Sequence, residues 1–106
     1  RTYSAEKLAT SWETFATART IDGDATWLKP DLLTVVNKSS SASVLFQARY
    51  VPQSGTTAEF ARVTIPPGGT VEIPTPSCET VGDKIEGQAG AANALDVVFS
   101  YFEVAV

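Results

Sequence analysis

Histidine and methionine are absent from this 106-residue chain, and cysteine occurs once, at Cys78. Each absence removes a class of chemistry. Without histidine there is no side chain whose unperturbed pKa suits general acid–base work near neutrality. Neither a Ser–His–Asp triad nor a Cys–His pair can form within one chain. Zinc centres draw on several Cys or His ligands, so a lone Cys78 predicts none. One cysteine also allows no intrachain disulfide, which excludes a stapled mini-domain and points to maturation in a reducing compartment. No apolar run approaches the ~18 residues of a membrane-spanning helix. The opening stretch, Arg1-Thr2-Tyr3-Ser4-Ala5-Glu6-Lys7, leads into no apolar block and does not read as a secretory signal. Because the sequence starts at Arg1 and holds no methionine, an initiating Met is expected ahead of it, with proteolytic processing as the alternative.

Positive charge is also scarce. Eight Lys and Arg stand against twelve Asp and Glu, a formal net charge of −4, so the clustered basic footprint of a nucleic-acid binder is missing. A hydrophobic content of 43% with 19% charged residues describes a globular chain. Its length suits one domain with a core of its own.

Turn chemistry divides the chain into short segments. Asp22-Gly23 is the strongest hairpin signal, since a type I′ turn needs positive φ at both central positions. Pro30 is expected to break the segment it sits in. Residues 38–41 and 52–57 read as polar loops, Pro66-Pro67-Gly68-Gly69 as a tight reversal, and 75–78 and 90–93 as further turns. Turns recurring about every ten residues imply an all-β sandwich or barrel.

The segments between them carry period-2 patterns. Residues 13–21 and 24–28 flank the Asp22-Gly23 turn, and 32–37 is rich in Leu and Val. In 43–51, Val44, Phe46, Ala48 and Tyr50 share one face, with Gln47 and Arg49 on the other. In 59–65, Ala61, Val63 and Ile65 oppose Phe60, Arg62 and Thr64. Val71 and Ile73, and later Ile85, Gly87 and Ala89, point inward from 70–74 and 84–89. The fold expected is a single antiparallel β-sandwich, Ig-like or jelly-roll-like, over residues 13–106. Residues 1–12 precede it as a short arm or helix, with Leu8 and Trp12 four apart and Ser4 as a possible cap. Two helical turns are too few to stand alone in water.

The last segment, 95–106, is apolar on both faces. Leu95, Val97, Phe99 and Tyr101 line one, and Val98, Phe102 and Val104 line the other. Two coverings suit the second face: the N-terminal segment, or a neighbouring subunit. Leu8, Trp12, Val98, Phe102 and Val104 are therefore the candidate interface residues.

Other motifs reduce to local structure. Asp22-Gly23-Asp24 lacks the spaced ligands and closing Glu of a calcium loop. Asp83 and Glu86 lie three apart on a strand, so they diverge rather than pair as catalytic carboxylates. Ser4-Ala5-Glu6-Lys7 matches Ser-x-x-Lys without its companion motifs. Asn37-Lys38-Ser39 is a formal glycosylation sequon, and Gly68-Gly69 lacks the frame of a phosphate loop. Cys78, beside Glu79, is expected as a structural thiol, since a carboxylate disfavours the thiolate. No catalytic, cofactor-binding or metal-ligating residue is expected.

The order of these signals resembles a known group. Leu33-Thr34-Val35-Val36-Asn37-Lys38-Ser39 is followed by a strand and by Val63-Thr64-Ile65-Pro66-Pro67-Gly68-Gly69-Thr70-Val71-Glu72-Ile73. Val81-Gly82-Asp83-Lys84-Ile85 and Asn93-Ala94-Leu95-Asp96-Val97 come next. This string, over residues 32–104, resembles the small β-sandwich structural proteins of tailed bacteriophage virions. The resemblance implies a non-enzymatic virion component, assembled in the host cytoplasm: a capsid decoration (cement) protein, or a tail or fibre module. Its partners would be viral capsid or tail proteins and its own copies, with no nucleic acid, membrane or cofactor. The alternative is a glycan- or receptor-binding sandwich module, which needs aromatics exposed side by side. Trp12 and Trp27 are the candidates for that platform.

Overall fold

The structure is a computed structural model that describes all 106 residues. Nine strands and no helix make up the chain: β1 (Thr2–Ala5), β2 (Glu13–Thr17), β3 (Thr20–Ile21), β4 (Asp24–Asn37), β5 (Val44–Val51), β6 (Ala58–Ile65), β7 (Thr70–Ile73), β8 (Lys84–Ala89) and β9 (Leu95–Ala105). They form two antiparallel sheets packed as a sandwich. One has the order β1-β9-β4-β3 with β7 also paired to β4, and the other has the order β2-β8-β5-β6. Only β3–β4 and β5–β6 are hairpins. Every other connection carries the chain from one sheet to the other.

The alternating segments behave as their periodicity demands. Val44, Phe46 and Ala48 of β5, and Ile85, Gly87 and Ala89 of β8, face the core. Asp22 and Gly23 both have positive φ, 51° and 83°, the type I′ geometry that the β3–β4 hairpin needs.

Three local expectations are corrected. Residues 1–12 form neither a free arm nor a helix. β1 pairs with Val97–Ser100 of β9, and Leu8, only 1% exposed, donates its backbone N–H to the Leu95 carbonyl at 2.7 Å. The apolar groups of this segment find partners within the chain, so it orders against the sandwich itself. Pro30 does not end its strand either. β4 runs through it with a bulge before Leu32. Leu28 exchanges backbone bonds with Cys78 on the side away from β9, so by alternation Pro30 turns its missing N–H to that same side, beyond the reach of β7, which begins pairing at Leu33. Phe60 is not an outward residue. Ala48 pairs with Ala61 but Arg49 with Glu59, which leaves Phe60 as the extra residue of a bulge, packed against the core.

A second bulge builds the centre of the core. Between Thr14 and Ala16 the β2 register slips by one residue, so that Phe15 and Ala16 are both buried. The Phe15 ring stacks on Tyr3 at 5.0 Å and on Phe46 at 6.5 Å. It also lies directly over Gly87, where a Cβ would stand 2.4 Å from Phe15 Cζ. Gly87→Ala must therefore displace that ring. Urea unfolding should show a loss of about 1–3 kcal/mol, the usual cost of overpacking a core. A loss below about 0.5 kcal/mol would mean that Phe15 has room to move.

Candidate functional site

β9 alternates through the sheet. Leu95, Val97 and Phe99 point into the core, and Tyr101 stacks on Phe99 at 5.2 Å. Val98, Phe102 and Val104 point out of the sandwich with 48%, 59% and 44% exposure. The β4 register then decides what stands beside them. Trp27 lies opposite Val104, Lys29 opposite Phe102, Leu32 opposite Ser100 and Thr34 opposite Val98. Leu32 is itself 43% exposed. The outer face of the two longest strands thus carries a continuous apolar strip, from Val104 and Trp27 through Phe102 and Leu32 to Val98.

Polar groups stand among and around these residues. Lys29 folds its ammonium 4.4 Å over the Trp27 ring and stands 3.8 Å from Glu79. Asp31, the extra residue of the β4 bulge, accepts a hydrogen bond from Ser100 Oγ at 3.1 Å. Thr2 and Ser4 of β1 flank one side, opposite Ser100 and Val98, and Glu72 of β7 flanks the other. At the bulge an open depression of about 280 Å³ is lined by Asp31, Leu32, Glu72, Ile73 and Pro74.

The five candidate interface residues therefore separate. Val98, Phe102 and Val104 are together on this face. Leu8 is core. Trp12, just ahead of β2, lies against the other sheet, with the Arg49 guanidinium 4.1 Å from its ring centre. Trp27 and Leu32 belong to the strip but were not among the five, because only the β4–β9 register places them there. Since Trp12 packs against Arg49 of β5 and Trp27 belongs to β4 of the other sheet, they form no side-by-side aromatic platform.

The outer face of the second sheet is polar and internally matched. Arg49 pairs with Glu86 at 2.7 Å, Arg62 with Glu59 at 2.8 Å, and Gln88 donates to Gln47 at 3.0 Å. Asp83 and Glu86 diverge as expected. Glu86 belongs to that outer network, whereas the buried Asp83 carboxylate accepts hydrogen bonds from Tyr50 Oη at 2.6 Å, Gln53 N–H at 2.8 Å and Thr80 N–H at 3.2 Å. Its hydrogen bond to Asp83, with burial, pushes the Tyr50 hydroxyl up to about 12. Burial foremost, with Asp83 nearby, pushes the Cys78 thiol to about 12 as well. A buried thiol held protonated is a poor nucleophile.

Asn37 is fully buried. Its amide nitrogen donates to the carbonyls of Ala42 and Ile65, both at 2.9 Å, and its oxygen accepts from the Ser39 N–H at 2.9 Å. The sequon is thus a packing device in the folded chain, with no free amide for a glycan.

At the far end of β9, on the inner side, Glu103 is gripped by Arg19 through two bonds of 2.6 and 3.0 Å, with Arg1 3.5 Å away. The Arg19 hydrogen bonds hold the Glu103 carboxyl below the usual carboxylate range. A folded-state pKa lowered in this way stabilises the fold above the unfolded value of about 4.3 and ceases to do so as pH falls through the folded value. Thermal melts from about pH 6 down to 2 should therefore show a steeper acid loss for the wild type than for Glu103→Gln. Parallel acid limbs would show that the clamp contributes nothing in solution.

No protein-family model matches the chain, and no curated protein is significantly similar to it.

Proposed function

We propose that this protein is a non-enzymatic structural component of a tailed-phage virion, a capsid decoration (cement) protein in the first instance, held to its neighbours by the outer face of β4 and β9. The observation that carries the reading is the strip of Trp27, Leu32, Val98, Phe102 and Val104. Four of these five are more than two-fifths exposed, on adjacent strands, with no segment of the chain over them. Single exposed apolar residues are ordinary on a soluble surface, but contiguous patches mark contact sites. A cement protein works by area: stable interfaces bury about 1,200–2,000 Å² in total. The turn order of residues 32–104, similar to that of virion sandwich proteins, supplies the setting, and the flanking Thr2, Ser4 and Glu72 would serve as the polar rim.

Quantitative mass spectrometry of density-purified particles from the source tests the reading. The chain should co-purify at a fixed, integer-related ratio to the major capsid or tail subunit. A chain found only in the soluble lysate contradicts it.

A further inference from the structure

We infer that the neighbour across the β4–β9 face is a second copy of this chain, packed sheet against sheet about a two-fold axis that runs across the strands at the level of Pro30 and Tyr101. The inference rests on the reading that this face is an interface, and names its occupant.

The register makes the face self-complementary. Tyr101 lies three positions from Val98 and three from Val104, with Pro30 as its partner on β4. A two-fold at that level, with β9 stacked antiparallel on its copy, sets Val104 over Val98 of the second copy and Val98 over its Val104. An isologous interface requires this reciprocity, in which residue i meets j and j meets i. The same operation carries Trp27 to the level of Thr34 and places Phe102 against Ser100 and Leu32 of the other chain.

The charges obey the same symmetry. Lys29 and Asp31 flank Pro30 on opposite sides of the proposed axis. The rotation therefore brings Lys29 of each copy to the Leu32 level of the other, beside its Asp31. Both side chains reach the outer face, Lys29 over Trp27 and Asp31 to Ser100. A face with only one sign of charge near its axis would repel its own copy; this one has both. Packed sheets lie within about 30° of alignment and ~10 Å apart, room for Val, Leu and Phe side chains to interdigitate.

The area is sufficient for a modest complex. β9 is eleven residues long, or ~37 Å at ~3.4 Å per residue, and three to four strands at ~4.8 Å span ~14–19 Å. Each copy thus offers ~500–700 Å², and the pair ~1,000–1,400 Å², at the lower end of stable interfaces. Self-association in the micromolar range is expected.

Sedimentation equilibrium of the full chain from ~1 to ~500 μM tests this. The wild type should pass from monomer to dimer across that range. Lys29→Glu and Asp31→Lys should each weaken the dimer by ~10-fold or more, and the double variant should return to within ~3-fold of the wild type, because opposite charges again meet across the axis. Phe102→Asp, at the most exposed core position of the strip, should stay monomeric with unchanged strand circular dichroism, which guards against misreading a folding defect. A wild type monomeric at every concentration overturns the inference. So does a dimer indifferent to Phe102→Asp, or one that the double charge reversal fails to restore. A chain monomeric alone but found in purified particles overturns the second copy and leaves the virion reading in place; a dimer never found in particles does the reverse.

Discussion

Asn37→Asp should be the most damaging single-atom-scale change in this protein. The substitution keeps the shape of the side chain but replaces an amide that donates to the Ala42 and Ile65 carbonyls, each at 2.9 Å, with a carboxylate oxygen that repels both. The site is fully buried, so water cannot take over. A buried polar group left unpaired costs about 1–3 kcal/mol, and more when charged. With two carbonyls stranded and an anion desolvated, a loss of about 4 kcal/mol or more at neutral pH is expected in urea unfolding. A domain of this size has only about 5–15 kcal/mol in total. The defect should shrink as pH falls. The introduced carboxyl would have a raised pKa, and once protonated it donates one hydrogen bond again. A loss below about 1 kcal/mol would show that the loop relaxes around residue 37.

Phe102→Asp should have the largest effect on assembly and little on the fold. Its ring is 59% exposed and points away from the sandwich interior, so the isolated domain should melt within a few degrees of the wild type. Hot spots at the centre of interfaces are worth about 2–4 kcal/mol, and a carboxylate pressed into an apolar contact adds its desolvation. Association with the particle should therefore weaken by about 100-fold or more, read as the fraction co-sedimenting with purified virions. Ser4→Asp, at the rim of the same face, should change it by less than about threefold. If the two variants behave alike, the strip is not the contact. If Phe102→Asp unfolds the monomer, Phe102 stabilises the sandwich itself.

The layout of the sandwich was readable from residues whose neighbours in sequence are also their neighbours in function. β5 and β8 alternate because one face of each is buried, and alternation is a local signal. The Asp22-Gly23 hairpin is likewise complete within four residues. What escaped depended on partners far along the chain. Leu8 reads as part of a marginal helix until β1 is laid against β9, more than ninety residues away in sequence. Pro30 reads as a break unless a bulge and an unpaired stretch of β4 are known to lie beside it. Phe60 reads as outward because a bulge, which flips the phase of alternation, leaves no mark in composition.

The candidate site divides along the same line. Val98, Phe102 and Val104 were visible because a strand apolar on both faces is conspicuous by itself. Trp27 and Leu32 complete the strip only through register, since nothing local says that residue 27 stands beside residue 104. Trp12 reads as an interface residue only on the premise of a free arm, and the Arg49 contact sets it against the opposite sheet. Glu103 falls on the inner side by the alternation of β9, but nothing local says that Arg19, from the β2–β3 connection, holds it there.

Hydroxyl-radical footprinting of the assembled particle against the isolated chain, kept dilute enough to be monomeric, tests the central claim most directly, because it reads Trp27 and Trp12, which lie on opposite faces of the sandwich, in one experiment. Trp27 and Phe102 should lose most of their oxidation on assembly, while Trp12, beside Arg49 on the other face, should react equally in both states. Protection of Trp12 with Trp27 and Phe102 left reactive would contradict the account and move the contact to the β2-β8-β5-β6 sheet.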